Sequence, residues 1–291
     1  MELLRSAMFV PGHRARFVDK ALGGLAADAI MLDLEDGVPP PEKAGGRALV
    51  AEALGRARVG QTARYVRVNG LGSPWLADDL AAVIRAGLDG LVLPKIDTAA
   101  QLAQVDEWVA GHEGAQGLPR GQVRYIVALE SPRGLLNAAG SARVAALMFG
   151  AEDYGRELGL PVRRTGAAGE LVYARSALVV AAAAAGVQAL DGAWPDIQDA
   201  AGLERDCQLA RELGYTGKSL IHPGQIGAIN AAFSPGADEL EYAERVVAAF
   251  EEAQAKGEGS IAFGGQLIDL PIVERARRTL ALAASLEAPP A

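Results

Sequence analysis

Two acids and an arginine stand out because each lies at or shortly after the end of a short apolar run. Glu130 closes YIVAL, Asp153 follows ALMF by a few residues, and Arg67 ends RYVR. Two carboxylates from successive runs suit a hard dication such as Mg²⁺, with substrate and water completing the shell, better than zinc, which favours His and Cys. Arg67 can take an anionic group through a two-pronged pair of hydrogen bonds. Further charged or polar groups close the other runs: Glu35 and Asp36, Asn69, Lys95, Glu152, Asp191 and His222. So many carboxylates gathered at one mouth would raise one another's pKa, so a dication and basic partners are the natural compensation. The same groups would equally serve as structural ion pairs at a rim. His222, before Pro223, reads either as a base or as a positioning group. Lys95 reads as an ion-pair partner, with a Schiff base as the rarer option. Asp269, before Leu270 and Pro271, has the pattern of a helix N-cap. Arg14, Arg16 and Lys20 suit either a solvated helix face or phosphate binding.

These side chains need a scaffold, and the runs that carry them supply it. SAMFV, AIMLDL, RYVRV, GLVL, YIVAL, ALMF, QAL and SLI are continuous rather than alternating, as parallel strands covered on both faces require. Between them, segments such as Leu76–Ala86, Ala99–Val109, Ala168–Ala185 and Gly202–Leu213 carry apolar residues three and four apart. Eight strand–helix repeats predict an α/β fold of the TIM (β/α)₈ barrel type, with chemistry at the carboxyl ends of the strands. An open doubly wound sheet lacks its phosphate turn here, because GGLAAD at Gly23 has the wrong spacing. The barrel is expected over residues 1–235 and a C-terminal helical extension over 236–291. In that extension Asp238–Ala255 and Asp269–Ser285 read as helices, GEGSIAFGGQ as a glycine-rich loop, and EAPPA as a frayed end. The extension would act as a lid, an oligomerisation arm, or both.

Composition narrows the partners. Lys and Arg number 28 against 36 Asp and Glu, a formal charge of −8 that argues against nucleic acid or an anionic membrane. Half the residues are hydrophobic, enough for a large core. A single cysteine, Cys207, excludes an internal disulfide and points to a reducing, cytoplasmic setting. The N-terminal run breaks at Pro11 without a cleavage pattern, so no signal peptide is expected. The longest apolar stretch, Ala177–Val187, is far short of the roughly 20 residues of a membrane span.

A set of motifs then carries a resemblance that periodicity does not supply. FVPG at Phe9, LDLEDGV at Leu32, VRVN at Val66, LPK at Leu93, ALES at Ala128, FGAEDYGRELG at Phe149, GKSLIHPGQI at Gly217, FSPG at Phe233 and GQLIDLP at Gly265 occur in order over nearly the whole chain. The sequence resembles the citrate lyase β-subunit-like branch of the HpcH/HpaI aldolase superfamily, which includes malyl-CoA and citramalyl-CoA lyases. The resemblance implies a Mg²⁺-dependent carbon–carbon lyase acting on β-hydroxyacyl thioesters of CoA or an acyl carrier and releasing a keto acid such as oxaloacetate. It implies Glu130 and Asp153 as metal ligands and Arg67 as the keto-acid-binding arginine. Asp36 would act through contacts to the metal's ligands. Phe9, Arg16, Lys20, Ile221 and His222 would contact substrate or CoA, with Arg16 standing where lysine is common. Asp269 would be the acid that, in related lyases, reaches a neighbouring subunit's site, and the family is usually trimeric or a dimer of trimers. A metal-dependent aldolase of free 2-keto acids, or a keto-acid-binding subunit without turnover, are the competing expectations.

Overall fold

The computed structural model describes residues 3–137, 142–161 and 169–287. Eight parallel strands close on themselves: β1 (Ser6–Pro11), β2 (Ala29–Asp33), β3 (Ala63–Arg67), β4 (Gly90–Leu93), β5 (Arg124–Leu129), β6 (Val144–Phe149), β7 (Gln188–Asp191) and β8 (Gly217–Leu220). Each pairs with the next, and β8 returns to β1. The helices after them are α1 (Ala15–Leu22), α2 (Lys43–Leu54), α3 (Leu76–Val83), α4 (Ala99–Ala115), α5 (Pro132–Leu136), α6 (Ala151–Glu157), α7 (Val172–Ala185), α8 (Ala200–Leu213) and α9 (Ile226–Ala232). The expected barrel is therefore present. The predicted start of α7 at Ala168 lies outside the described residues, as do 288–291 of the expected frayed end.

The strands read as unbroken apolar runs because both faces are covered, but the barrel axis still selects alternate residues. Ala7, Ala29, Met31, Ala63, Tyr65, Val92, Ile126, Ala128, Ala146, Met148 and Leu190 fill the interior. Two residues further along the same faces come Asp33, Arg67, Glu130 and Gly150, the polar layer above the core. Asp33 and Arg67 are also register partners across β2 and β3, so their side chains emerge side by side. At the opposite, N-terminal end, Glu113 of α4 and Arg143 form a buried ion pair at 2.7 Å and 2.8 Å, and Glu113 also accepts from the N–H groups of Gly121 and Val123.

Residues 231–291 form a second compact unit. Within it, α10 (Ala237–Ala255) packs on α11 (Leu270–Glu287) around Val246, Phe250, Ile268 and Val273. The stretch read as a glycine-rich loop is instead a hairpin of β9 (Ile261–Phe263) and β10 (Gln266–Ile268). Gly264 and Gly265 both have positive φ, 58° and 79°, as the tight turn between twisted strands demands. Among the described residues no helix is long and apolar enough to cross a membrane.

Candidate active site

Glu130 follows β5 directly, and the chain turns away at once. Ser131 caps α5 by accepting the Gly134 N–H and donates its hydroxyl to Asp97 at 2.5 Å, so the strand end is braced from β4's loop. The carboxyl group has one neighbour that must stay small: a Cβ on Gly150 would lie 2.2 Å from Glu130 Cγ. Glu130 is 6% exposed, and its Oε2 has no hydrogen-bond partner. Burial pushes its pKa up to about 8, the charges of Glu35 and Asp153 adding to the shift and Arg67 and Lys95 opposing it. Asp153, in the first turn of α6, faces the same cavity of about 350 Å³, where it pairs with Arg156 at 2.8 Å.

Arg67 rises beside this pair. Asp33 accepts from its Nε and Nη2, both at 2.7 Å, and Glu35 Oε2 lies 3.1 Å from Nη1. The guanidinium sits 4.7 Å from the centroid of the Phe9 ring. Burial would lower the arginine's pKa, but the Asp33 hydrogen bonds and the charges of Asp33, Glu35 and Glu130 raise it, so the charge is permanent. The two-pronged pair expected for a substrate is thus made with Asp33, and the remaining N–H groups are those left for a ligand.

The Glu35–Asp36 loop is held from below by Lys43, whose ammonium donates to the carbonyls of Leu34 and Glu35 and to Asn69 Oδ1, all within 2.8 Å. Lys95 donates to Glu35 at 2.5 Å and lies 3.6 Å from Asp36. Its φ of 56° is the one left-handed value outside glycine among the described residues, a strained backbone that aims the ammonium at the acids. Burial would lower the Lys95 pKa, yet Glu35, Asp36 and Asp153 raise it, which keeps the amine protonated and disfavours an imine. Asp36 itself is 59% exposed, so the buried acids of this loop are Asp33 and Glu35.

The remaining expected residues divide. Phe9, Arg16, Lys20, Ile221 and His222 line a second cavity of about 420 Å³, with Arg16 and Lys20 one turn apart on α1. Phe9, Pro11 and Ile221 border both cavities. His222 Nδ1 accepts the Gly224 N–H at 3.1 Å, a cap for the turn at Pro223, so that nitrogen is committed. Asp269 lies in the second unit, immediately before α11, and its carbonyl accepts from Ile272 and Val273.

Asn69 is held by Lys43 and Asp79 and lines a cavity with Glu35, Asp36 and Lys95. One strand-end group does not join the mouth as expected. Asp191 is buried between β7, β8, α7 and α8, with Arg175 at 2.7 Å, Lys218 at 2.5 Å, and Asp206 sharing both cations. Parity is the reason: Asp191 follows inward-facing Leu190 and must face the helices. The converse oversight is Asp33, inside the LDLEDGV motif. Its even spacing puts it on the same strand face as Ala29 and Met31, and closure of the barrel turns that face inward.

A metal fits the residues present. Glu130 and Asp153 line one cavity, a carboxylate pair of the kind Mg²⁺ accepts with substrate and water completing its shell, and among the described residues no group of three or more His, Cys, Asp or Glu side chains is arranged to hold a metal ion. The orphaned Glu130 oxygen and its raised pKa mark a place short of positive charge.

A model of the HpcH/HpaI aldolase/citrate lyase family matches residues 5–223. Citrate lyase subunit beta of Leuconostoc mesenteroides subsp. cremoris is 40% identical over 285 residues, covering 97% of this chain and 93% of the relative. A (3S)-malyl-CoA thioesterase of Cereibacter sphaeroides is 37% identical over 287 residues, covering 98% and 96%. Among solved structures, CitE of Mycobacterium tuberculosis in complex with magnesium, acetoacetate and coenzyme A superposes with a TM-score of 0.80 at 31% identity, covering 97% and 98%.

Proposed function

Because the chain belongs to the HpcH/HpaI aldolase/citrate lyase family and is a lyase of the citrate lyase β-subunit type, we propose that it cleaves a β-hydroxyacyl-CoA thioester of the citryl-CoA kind into an acyl thioester and a keto acid such as oxaloacetate. The observation that carries this reading is the pair of cavities sharing one wall. The acid-lined cavity suits the small keto-acid fragment, and the neighbouring groove, with Arg16 and Lys20 at its edge, suits the phosphates and arm of CoA. The similar M. tuberculosis protein, in complex with magnesium, acetoacetate and coenzyme A, supports it.

Glu130 and Asp153 would hold Mg²⁺, which when bound supplies Lewis-acid polarisation of the hydroxyl or keto oxygen. Arg67 binds the adjacent carboxylate through its remaining N–H groups and places fixed positive charge beside the alkoxide that forms before the Cα–Cβ bond breaks. The β-hydroxyl proton leaves to solvent as the keto C=O forms, and the thioester enolate takes a proton from Asp269, which regains one from solvent and acts as base in the condensation direction. Phe9 and Ile221, on the wall between the cavities, shield the reacting carbons from water. In this reading the working form is the cytoplasmic homotrimer or dimer of trimers that the resemblance implies.

The test is a panel of citryl-, citramalyl- and malyl-CoA with Mg²⁺, followed by mass spectrometry. Release of keto acid and acyl-CoA in equal amounts is expected, with the largest kcat/KM on one member. Free CoA with the hydroxy acid intact would show thioester hydrolysis instead and overturn the proposal.

A further inference from the structure

Asp33, the last residue of β2, has a part that neither the carboxylate pair nor the groove explains. It is 3% exposed, and its carboxylate accepts four hydrogen bonds: Arg67 Nε and Nη2 at 2.7 Å each, the Glu35 N–H at 2.8 Å and the Gly37 N–H at 3.0 Å. The space about it is closed. A Cβ on Gly37 would lie 2.3 Å from Asp33 Oδ2, and one on Gly12 would lie 2.6 Å from the Asp33 carbonyl oxygen.

An arginine on its own samples many rotamers and would meet a ligand at a large entropic cost. Here the side fork of Arg67 is taken by Asp33, its face by Phe9 and one Nη1 edge by Glu35. Only the remaining N–H groups can meet a carboxylate in the cavity lined by Glu130 and Asp153. The same acid receives the N–H groups of the loop that carries Glu35, so the arginine and the loop share one anchor. We propose that Asp33 is a positioning residue that sets the angle at which Arg67 receives the substrate carboxylate and keeps Glu35 in register with it. This rests on the reading of Arg67 as the keto-acid-binding group. It also requires that lysine cannot replace Arg67, since one ammonium cannot occupy the Asp33 fork and present a second planar edge.

A double-mutant cycle on the full chain with Mg²⁺ tests it: Asp33→Asn, Arg67→Ala and the double variant, each assayed for kcat, KM, oxaloacetate affinity and affinity for CoA alone. The asparagine turns one acceptor into a donor facing the guanidinium. Asp33→Asn is expected to lower kcat by about 100-fold, within the range for loss of one preorganised transition-state contact. Oxaloacetate affinity should fall with it, whereas CoA affinity, read from the groove beyond Phe9, should stay within about threefold. In the Arg67→Ala background Asp33→Asn should cost less than about threefold more, since groups that act as a unit are not additive. Independent losses that multiply, or an Asp33→Asn variant with normal oxaloacetate affinity, would overturn the proposal. Unchanged turnover in Arg67→Ala would instead remove the reading of Arg67 beneath it. Should Asp33→Asn not fold, Asp33→Glu takes its place in the cycle: it keeps the charge, pushes the fork outward by a methylene, and is expected to show the same selective loss of oxaloacetate affinity.

Discussion

Glu130 sits in a pocket where burial and two neighbouring acids disfavour its charged form, and this has a measurable consequence in the metal-free protein. Below its ordinary value of 4.5 the group is protonated whether the chain is folded or not. Between 4.5 and about 8 the unfolded chain releases the proton while the folded chain keeps it. Folded stability therefore falls as pH rises through that window. Glu130→Gln should abolish this component of the decline, measured by denaturant titrations at pH 5, 6.5 and 8 with chelator present. A cation at the site must displace the proton, so Mg²⁺ affinity should weaken by up to about tenfold for each pH unit below about 8. Calorimetry in buffers of differing ionisation enthalpy should find about one proton released per Mg²⁺ near pH 7. Buffer-independent heats would place the metal elsewhere.

At the scale of the element, strand ends and their following turns decide which side chains converge. Gly150 follows β6 directly, where a methyl group would collide with Glu130 Cγ at 2.2 Å. Gly150→Ala should cost about 1–3 kcal/mol as an overpacked substitution. It should also reduce Mg²⁺ affinity by more than about tenfold, as mispositioned ligands do. A thermal melt and a metal titration on the same sample separate the two effects, and unaltered Mg²⁺ affinity would deny Glu130 its place as a ligand. Much at this scale was legible in the chain itself. The eight apolar runs, the helical spacing between them and the strand-end positions of Glu130 and Arg67 all follow from local pattern. The GG turn between IAF and QLI was legible too, as a two-residue hairpin signal, but Gly-rich composition masked it.

Across the molecule, the two ends of the barrel differ in purpose. The carboxyl end gathers imperfectly satisfied charge, with buried oxygens of Glu35 and Glu130 lacking hydrogen bonds. The amino end holds denser networks such as Arg143 with Glu113 and Asp106, in which Glu113 also accepts from two backbone N–H groups. Burial would raise the Glu113 pKa, but Arg143 and the Val123 and Gly121 N–H groups hold it below the usual range. Glu113→Ala should therefore destabilise the fold by about 1–3 kcal/mol, because it takes two charge-assisted hydrogen bonds from a buried arginine that retains Asp106 as a partner. It should leave kcat/KM unchanged at temperatures below the transition. Loss of activity in a fully folded sample would contradict this division of labour. The reason lies in barrel geometry, where the loops that can vary without breaking strand pairing are those at one end.

Residue types and spacing in the chain were enough to determine the barrel and the family motifs, because these depend on local periodicity and on chemistry that each side chain carries with it. Tertiary structure alone decided that Asp33 faces the axis beside Arg67 while Asp191 faces the helices with Arg175 and Lys218. Closure of the sheet sets strand stagger, and with it which of two alternating faces looks inward. That is a property of all eight strands together, and no single run contains it.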